Sequence, residues 1–240
     1  MNLKSTSISD FKNTGFYILN EIYSEEELEG IINCLESFEK SNNSNFRSNN
    51  VFAIRKLLIE IPELKSFLFN DNLRFLLSKL FEGNSFLTKA IYFDKPKQSN
   101  WFVPIHQDLS ISVADKKHVE GYNQWTFKKG QYGVIPPLGI LENTVTIRIH
   151  LDDTNSGNGA LNVVPKSHLQ GIVRVDENYC SELSPQVCEV RKGGVMLMKP
   201  LTLHSSNRSN NSSNRRVIHL EFNSIPLDKN LNWLEYDNLN

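Results

Sequence analysis

The run Thr144-Val145-Thr146-Ile147-Arg148-Ile149-His150-Leu151 is answered, after Asn155-Ser156-Gly157-Asn158-Gly159, by Ala160-Leu161-Asn162-Val163-Val164. β-Branched residues dominate the first run and recur in the second. The Asn/Ser/Gly cluster between them supplies a turn in which the backbone takes φ > 0. Strand, turn, strand is the pattern, and it repeats outward from there. Residues 86–93, 101–106, 195–199 and 216–222 read as further short strands, and Arg191-Lys192-Gly193-Gly194 as a second tight turn.

The N-terminal third is helical instead. Ser24-Glu25-Glu26-Glu27 forms a capping box, and Leu28, Ile31, Ile32, Leu35 and Phe38 follow at helical spacing. The Asn/Ser-rich stretch 41–50 ends that helix as an exposed loop. A second helical region starts around Pro62 and carries Leu73, Leu76, Leu77, Leu80 and Phe81 as a stripe after Asp71. Both stripes are core-packing surfaces. Helices first and many short strands after them predict an α+β, mainly β chain, a β-sandwich or jelly roll buttressed by N-terminal helices. The expected organisation is one domain over 1–240, with 1–85 a mainly helical buttress, 86–225 the jelly-roll core and 226–240 a C-terminal tail. Residues 113–137 are too long for a hairpin connection and read as a lid or substrate wall.

Bulk properties narrow the function classes. A 240-residue chain is long enough to enclose a buried site, and a net charge of −1 gives no reason to expect nucleic acid or an anionic membrane as partner. No run approaches the roughly 18 apolar residues that span a bilayer, and the first ten residues lack the apolar core of a secretory signal. Cys34, Cys180 and Cys188 are an odd number without a Cys-x-x-Cys pair, which argues against a disulfide framework or a zinc ribbon. These readings lead us to expect a cytoplasmic enzyme acting on a small molecule.

The chemistry is carried by His106-Gln107-Asp108 and, almost a hundred residues later, Leu203-His204-Ser205-Ser206 followed by Arg215. Two imidazoles and one carboxylate cover one face of an octahedral Fe(II) and leave the opposite face open. An arginine beyond the second histidine offers a planar fork for the far carboxylate of a dicarboxylic cosubstrate. That is the ligand set of an iron- and 2-oxoglutarate-dependent oxygenase. His150-Leu151-Asp152 has the same local spacing and is a rival, and periodicity alone does not choose between the two. Context favours His106, whose strand is apolar, whereas Asp152-Asp153 runs into a turn. Arg215 and Arg216 also compete, since neighbours on a strand point to opposite faces. Arg216 lies with Ile218, Leu220 and Phe222, an apolar set suited to packing against the helices. Arg215 lies with Val217, His219 and Glu221, a mixed set suited to a pocket.

The order of several short motifs resembles the phytanoyl-CoA dioxygenase family of Fe(II)/2-oxoglutarate oxygenases. Gly15-Phe16-Tyr17-Ile18-Leu19 and Ser24-Glu25-Glu26-Glu27-Leu28 resemble its first strand and helix. Phe93-Asp94-Lys95-Pro96, Asn100-Trp101 and His106-Gln107-Asp108-Leu109 follow in order. Leu151-Asp152-Asp153, Asn158-Gly159-Ala160-Leu161, Pro165-Lys166-Ser167-His168 and Gly171 resemble the central run, and Leu203-His204-Ser205-Ser206-Asn207 with Arg215 closes it. The resemblance implies a double-stranded β-helix (jelly roll, cupin-like) with iron on His106, Asp108 and His204. It implies 2-oxoglutarate on Arg215, eleven residues after the second histidine, with Ser206 helping to hold the same carboxylate. His150 falls where the family carries an apolar residue. Pro104-Ile105 departs from the tryptophan that many relatives place there.

The implied cosubstrates are 2-oxoglutarate and O2, and the implied reaction is hydroxylation of a C–H bond with release of succinate and CO2. Related halogenases lack the carboxylate that Asp108 supplies. Two other classes fit the same residues: a jelly-roll binding module that keeps its ligands without turnover, and a cupin-like metalloenzyme that uses no 2-oxoglutarate. Of the remaining polar residues, His168 reads as holding its own turn, His118 as a loop residue, and His219 as lining the pocket or packing. Lys95 and Thr146 read as packing before pocket contacts, and Lys116, Lys117, Lys128 and Lys129 as solvated before substrate-binding.

Overall fold

A computed structural model describes residues 5–41, 47–48, 51–95, 102–176, 183–210 and 213–238. Asn100, Trp101, Cys180 and most of the 41–50 loop lie outside the described residues.

Alternation along the strands builds the molecule in layers. Ile147 and Ile149 on the strand Val145–His150, Ile218, Leu220 and Phe222 on Arg215–Asn223, and Ala90 and Tyr92 on Phe86–Lys95 all point to one face. There they share a core with Leu28, Ile31 and Leu35 of the helix Glu25–Ser41 and Leu73, Leu76 and Leu77 of the helix Asp71–Leu80. The capping box forms as read: the Ser24 amide donates to Glu27 Oε2 (2.7 Å) and the Glu27 amide donates to Ser24 Oγ (3.2 Å). At the second helix the cap is Asn70, whose side chain accepts the Leu73 amide at 2.8 Å. Apolar burial on this scale, about 1.5–3 kcal/mol for each fully buried large aliphatic side chain, makes the helical buttress part of the core.

The eight-stranded antiparallel sheet runs Phe16–Leu19, Val195–Met198, Val145–His150, Arg215–Asn223, Phe86–Lys95, Val51–Arg55, Arg47–Ser48, with Asp237–Asn238 also on Phe86–Lys95. Facing it is a four-stranded antiparallel sheet in the order Gln186–Cys188, Leu161–Val163, His204–Ser206, Val103–His106. Met196 and Met198 from the large sheet meet Leu161, Val163 and Cys188 from the small one. This is the expected jelly roll with its helical buttress.

The segment boundaries differ from the expectation. Phe16–Leu19 and Val51–Arg55 come from the N-terminal third yet pair into the large sheet, so no clean break falls at residue 85. Residues 226–238 are no loose tail either: Leu231 and Trp233 are buried, and Trp233 bridges to Val113. The stretch read as a long loop forms two strands, Asn123–Lys128 and Gln131–Ile135, of a three-stranded sheet completed by Ile111–Val113 just before it. Its outer strand is almost entirely exposed, and only Trp125 and Phe127 mark the alternation by which strands are read.

Glu235, at the C-terminal end, is buried and accepts the Ala90 amide at 3.0 Å, while its second carboxylate oxygen has no partner. Burial pushes its carboxyl up to about 7. The folded protein therefore holds a proton that the unfolded chain releases above the ordinary carboxylate range. Stability contributed by the neutral form is complete below about pH 4.3 and is lost as pH rises through about 7, a change of about 3 kcal/mol. Glu235→Gln should therefore melt with the wild type near pH 4.5 but roughly 5–10 °C above it at pH 8. Equal melting temperatures across that range would remove this reading.

Candidate active site

His106 ends the edge strand of the small sheet, where Pro104 is tolerated because no further strand needs its missing N–H. A register shift between His204 and Ser206 sets His204 directly opposite His106. The Pro104 carbonyl accepts from His106 Nδ1 at 2.8 Å, and the Thr202 carbonyl accepts from His204 Nδ1 at 2.9 Å. Both rings are thereby fixed with Nε2 turned to the same point, the arrangement of paired metal-binding histidines. Asp108 follows the strand, its amide donating to the Pro200 carbonyl at 2.9 Å.

Asp108 Oδ1 is 3.5 Å from His106 Nε2, and Oδ2 is 3.6 Å from His204 Nε2. All three donors lie within 4.8 Å of one another, and theirs is the group of His, Cys, Asp and Glu side chains among the described residues with the spacing to hold a metal ion. These separations are long for hydrogen bonds and suit donors disposed around one cation. Burial pushes the His204 imidazole below its ordinary value, toward the neutral form that binds metal. The carboxylate of Asp108 beside His106 raises that imidazole. Asp108 itself stays ionised: the two imidazoles hold it well below the usual carboxylate range against the opposing effect of burial.

Gln107 explains how the His-x-Asp turn is pinned, and sequence reading passed over it. Its amide nitrogen donates to the carbonyls of Gly171 (2.8 Å) and Leu201 (2.7 Å), and its oxygen accepts the Val173 amide (3.0 Å).

Two cavities open on this triad. The inner one, about 140 Å³, is lined by His106, Asp108, His204, Ser206, Arg215 and Arg148, with Phe93, Val103, Leu161 and His219 completing it. The outer one, about 440 Å³, shares Phe93, Asp108 and His219 with the inner and runs under the three-stranded sheet. The interior-facing alternation of the large sheet places Arg148, Arg215 and His219 here, as expected for Arg215. Arg148 was not foreseen, although polar residues at every second position of a strand buried throughout are a readable signal.

Arg215 and Arg148 are 5% and 7% exposed, and the Nε of each lacks a hydrogen-bond partner. One Arg215 terminal nitrogen donates to the Gly159 carbonyl, which also accepts from Ser206 Oγ at 2.8 Å. Gly159 has φ +85°, and a Cβ there would lie 2.9 Å from the Asn207 carbonyl oxygen, so the close approach needs glycine. Burial and then the charge of Arg148 push the Arg215 guanidinium down to about 9. Burial likewise pushes Arg148 down to about 10, with Asp108 opposing. Guanidinium stays charged at neutral pH, so two buried guanidiniums with unpartnered Nε atoms leave the cavity suited to an anion. Arg148 Nη1 meets His219 Nδ1 at 3.2 Å, His219 Nε2 meets Glu221 Oε1 at 3.0 Å, and Lys89 closes the line on Glu221 at 2.8 Å.

The rivals sit elsewhere. His150 is buried on Thr154 Oγ1 at 2.7 Å, outside the triad. Burial, then the positive charges of Arg148 and Arg215, hold it well below its ordinary value. Asp152 takes two guanidinium bonds from Arg216 at 2.9 and 2.8 Å, on the helix side of the sheet. His168 is a correction: it reaches the Lys12 carbonyl at 3.1 Å and ties down the first helix, while Ser167 holds the turn through the Val164 carbonyl at 2.7 Å. Lys95 is buried, donating to the Asn207 carbonyl at 2.5 Å, and burial pushes it down to about 8. Neither Lys95 nor Thr146 lines the inner cavity.

The family model described as phytanoyl-CoA dioxygenase (PhyH) matches residues 11–217. Among solved structures, the chain is similar to the non-heme alpha-ketoglutarate-dependent carbocyclase SnoK of nogalamycin biosynthesis: 16% identity over 93% of this chain and 85% of that one, TM-score 0.69. It is similar to HygX from Streptomyces hygroscopicus, solved with nickel and 2-oxoglutarate bound: 15% identity, 93% and 88% coverage, TM-score 0.68. A third is the alpha-ketoglutarate-dependent epimerase SnoN, at 11% identity, 90% and 80% coverage and TM-score 0.65. At such identities the likeness is one of fold. No curated protein matches the chain in sequence.

Proposed function

The chain belongs to the phytanoyl-CoA dioxygenase family, and on that premise we propose that it is an Fe(II)- and 2-oxoglutarate-dependent oxygenase that hydroxylates a C–H bond of a small molecule. One observation carries the reading: a compact cavity ends at the His106–Asp108–His204 triad and holds two buried guanidiniums with unpaired Nε atoms. Such a pocket fits a small dianion lying between the arginines and a cation on the triad.

In this reading His106, Asp108 and His204 hold Fe(II), and the bound iron supplies activation of O2 and oxidative decarboxylation of the cosubstrate. The protein's own residues position and shield. Arg215, oriented by the Gly159 carbonyl, takes the distal carboxylate of 2-oxoglutarate, and Ser206 joins it by turning its hydroxyl from that carbonyl to the cosubstrate. Arg148, braced by His219, offers its guanidinium to the end of the cosubstrate nearer the triad. His219 bridges Arg148 and Glu221 through its two ring nitrogens, so the imidazole is a strut between them. Substrate would then lie in the outer cavity on the far side of Asp108, under the three-stranded sheet.

The fold also serves a carbocyclase and an epimerase among the similar structures, so the oxygen-insertion step needs its own test. Turnover under ¹⁸O2 should place one labelled oxygen in the product and one in succinate. Labelled succinate with an unlabelled product would keep the oxygenase chemistry and discard hydroxylation.

A further inference from the structure

The outer cavity is lopsided in charge. Lys89 in its wall is neutralised by Glu221 at 2.8 Å, and Asp108 belongs to the triad. That leaves Arg55, Lys128 and Lys129 lining it with no carboxylate partner among the described residues. Arg55 ends the strand Val51–Arg55. Lys128 and Lys129 come from the opposite side, on the hairpin between Asn123–Lys128 and Gln131–Ile135. That hairpin is tight: Lys128 pairs with Gln131, and Lys129 and Gly130 have φ 50° and 72°. Two consecutive residues in the left-handed region make a two-residue turn whose twist matches the strands, so the lysines are carried on a defined corner. Between Arg55 and the triad, Ile91 and Phe93 form an apolar strip of wall, flanked by Ser110, Ser112 and His219.

Resting on the oxygenase reading above, we propose that the substrate is a small molecule with an apolar reacting end and an anionic far end, a carboxylate or phosphate ester held by Arg55, Lys128 and Lys129. The volume of about 440 Å³ lies within the range of small-molecule sites. Clefts lined by one sign of charge concentrate ligands of the other sign, which also gives the substrate a steered approach. Of the four loop lysines that sequence groups together, Lys128 and Lys129 reach this cavity and Lys116 and Lys117 do not.

The test uses anaerobic protein loaded with Fe(II) and 2-oxoglutarate, titrated calorimetrically with hexyl phosphate, hexanoate and hexanol. At least one of the two anions should bind about tenfold or more tighter than hexanol, with an advantage that shrinks as salt is added. Which anion wins identifies the headgroup. Arg55→Glu/Lys129→Glu and Lys128→Glu/Lys129→Glu should abolish that advantage and leave hexanol unchanged. Anions binding no tighter than hexanol, or an advantage that survives both double variants, would overturn the proposal. The visible band of the iron–2-oxoglutarate chelate is recorded in every sample. Its absence in wild-type protein would count against the oxygenase reading, whereas its presence in wild-type protein that shows no anion preference would count against this inference alone.

Discussion

His204→Ala should abolish tight Fe(II) binding and 2-oxoglutarate-dependent succinate release, whereas His150→Ala should leave both within about twofold. The size of the difference follows from position. Loss of an outer partner of a metal ligand typically costs 10–100-fold in affinity or activity, so loss of a ligand should exceed about a hundredfold. His204 is 5% exposed and directly opposite His106, with its Nδ1 held by the Thr202 carbonyl, so no neighbouring group can take its place. His150 is equally buried and follows the same His-x-Asp spacing, but it is held by Thr154 and its Asp152 is committed to Arg216. Iron affinity and succinate yield, measured on both variants, check this. Equal losses in the two would mean that burial, and not ligation, was being removed.

Arg215→Ala should raise the 2-oxoglutarate requirement by roughly 30- to 700-fold, the equivalent of about 2–4 kcal/mol for truncating one partner of a buried charged pair. The effect should fall on the KM for 2-oxoglutarate far more than on iron affinity, because Arg215 meets Gly159 and the cavity but none of the triad. Arg215→Lys should recover only part of the loss, since an ammonium cannot reproduce a planar fork. Arg216→Ala provides the contrast: it breaks the Asp152 pair on the helix face, and should lower the melting temperature without changing the 2-oxoglutarate KM. An unchanged KM in Arg215→Ala would remove the cosubstrate from this cavity and favour a cupin-like metalloenzyme.

Much of this was legible because strand alternation is a two-valued code. Val145, Ile147 and Ile149 against Thr146, Arg148 and His150 already separate helix side from interior, and the same holds for Arg216, Ile218 and Leu220 against Arg215, Val217 and His219. The strand read at 144–151 spans Val145–His150, and that read at 195–199 spans Val195–Met198. Pairing partners are not written in a single strand. Nothing local told that Phe16–Leu19 and Val51–Arg55 would flank the large sheet, or that Asp237–Asn238 would return to Phe86–Lys95. The sheet within 111–135 is hard to read because its exposed strand offers only Trp125 and Phe127 as an apolar alternation. Gln107 was passed over because its value lies in three bonds to residues 64 to 94 positions away. Arg148 is not legible from motif spacing, because it precedes His204 while the resemblance points only to an arginine after it.

The most direct measurement is an anaerobic titration of metal-free protein with Fe(II) and then 2-oxoglutarate, followed through the weak visible charge-transfer absorption of the chelate. If the inner cavity and triad form one iron and cosubstrate site, a band appears with one equivalent of each, survives His150→Ala, and is lost in His204→Ala. Iron bound to folded protein without that band on adding 2-oxoglutarate would contradict the oxygenase assignment.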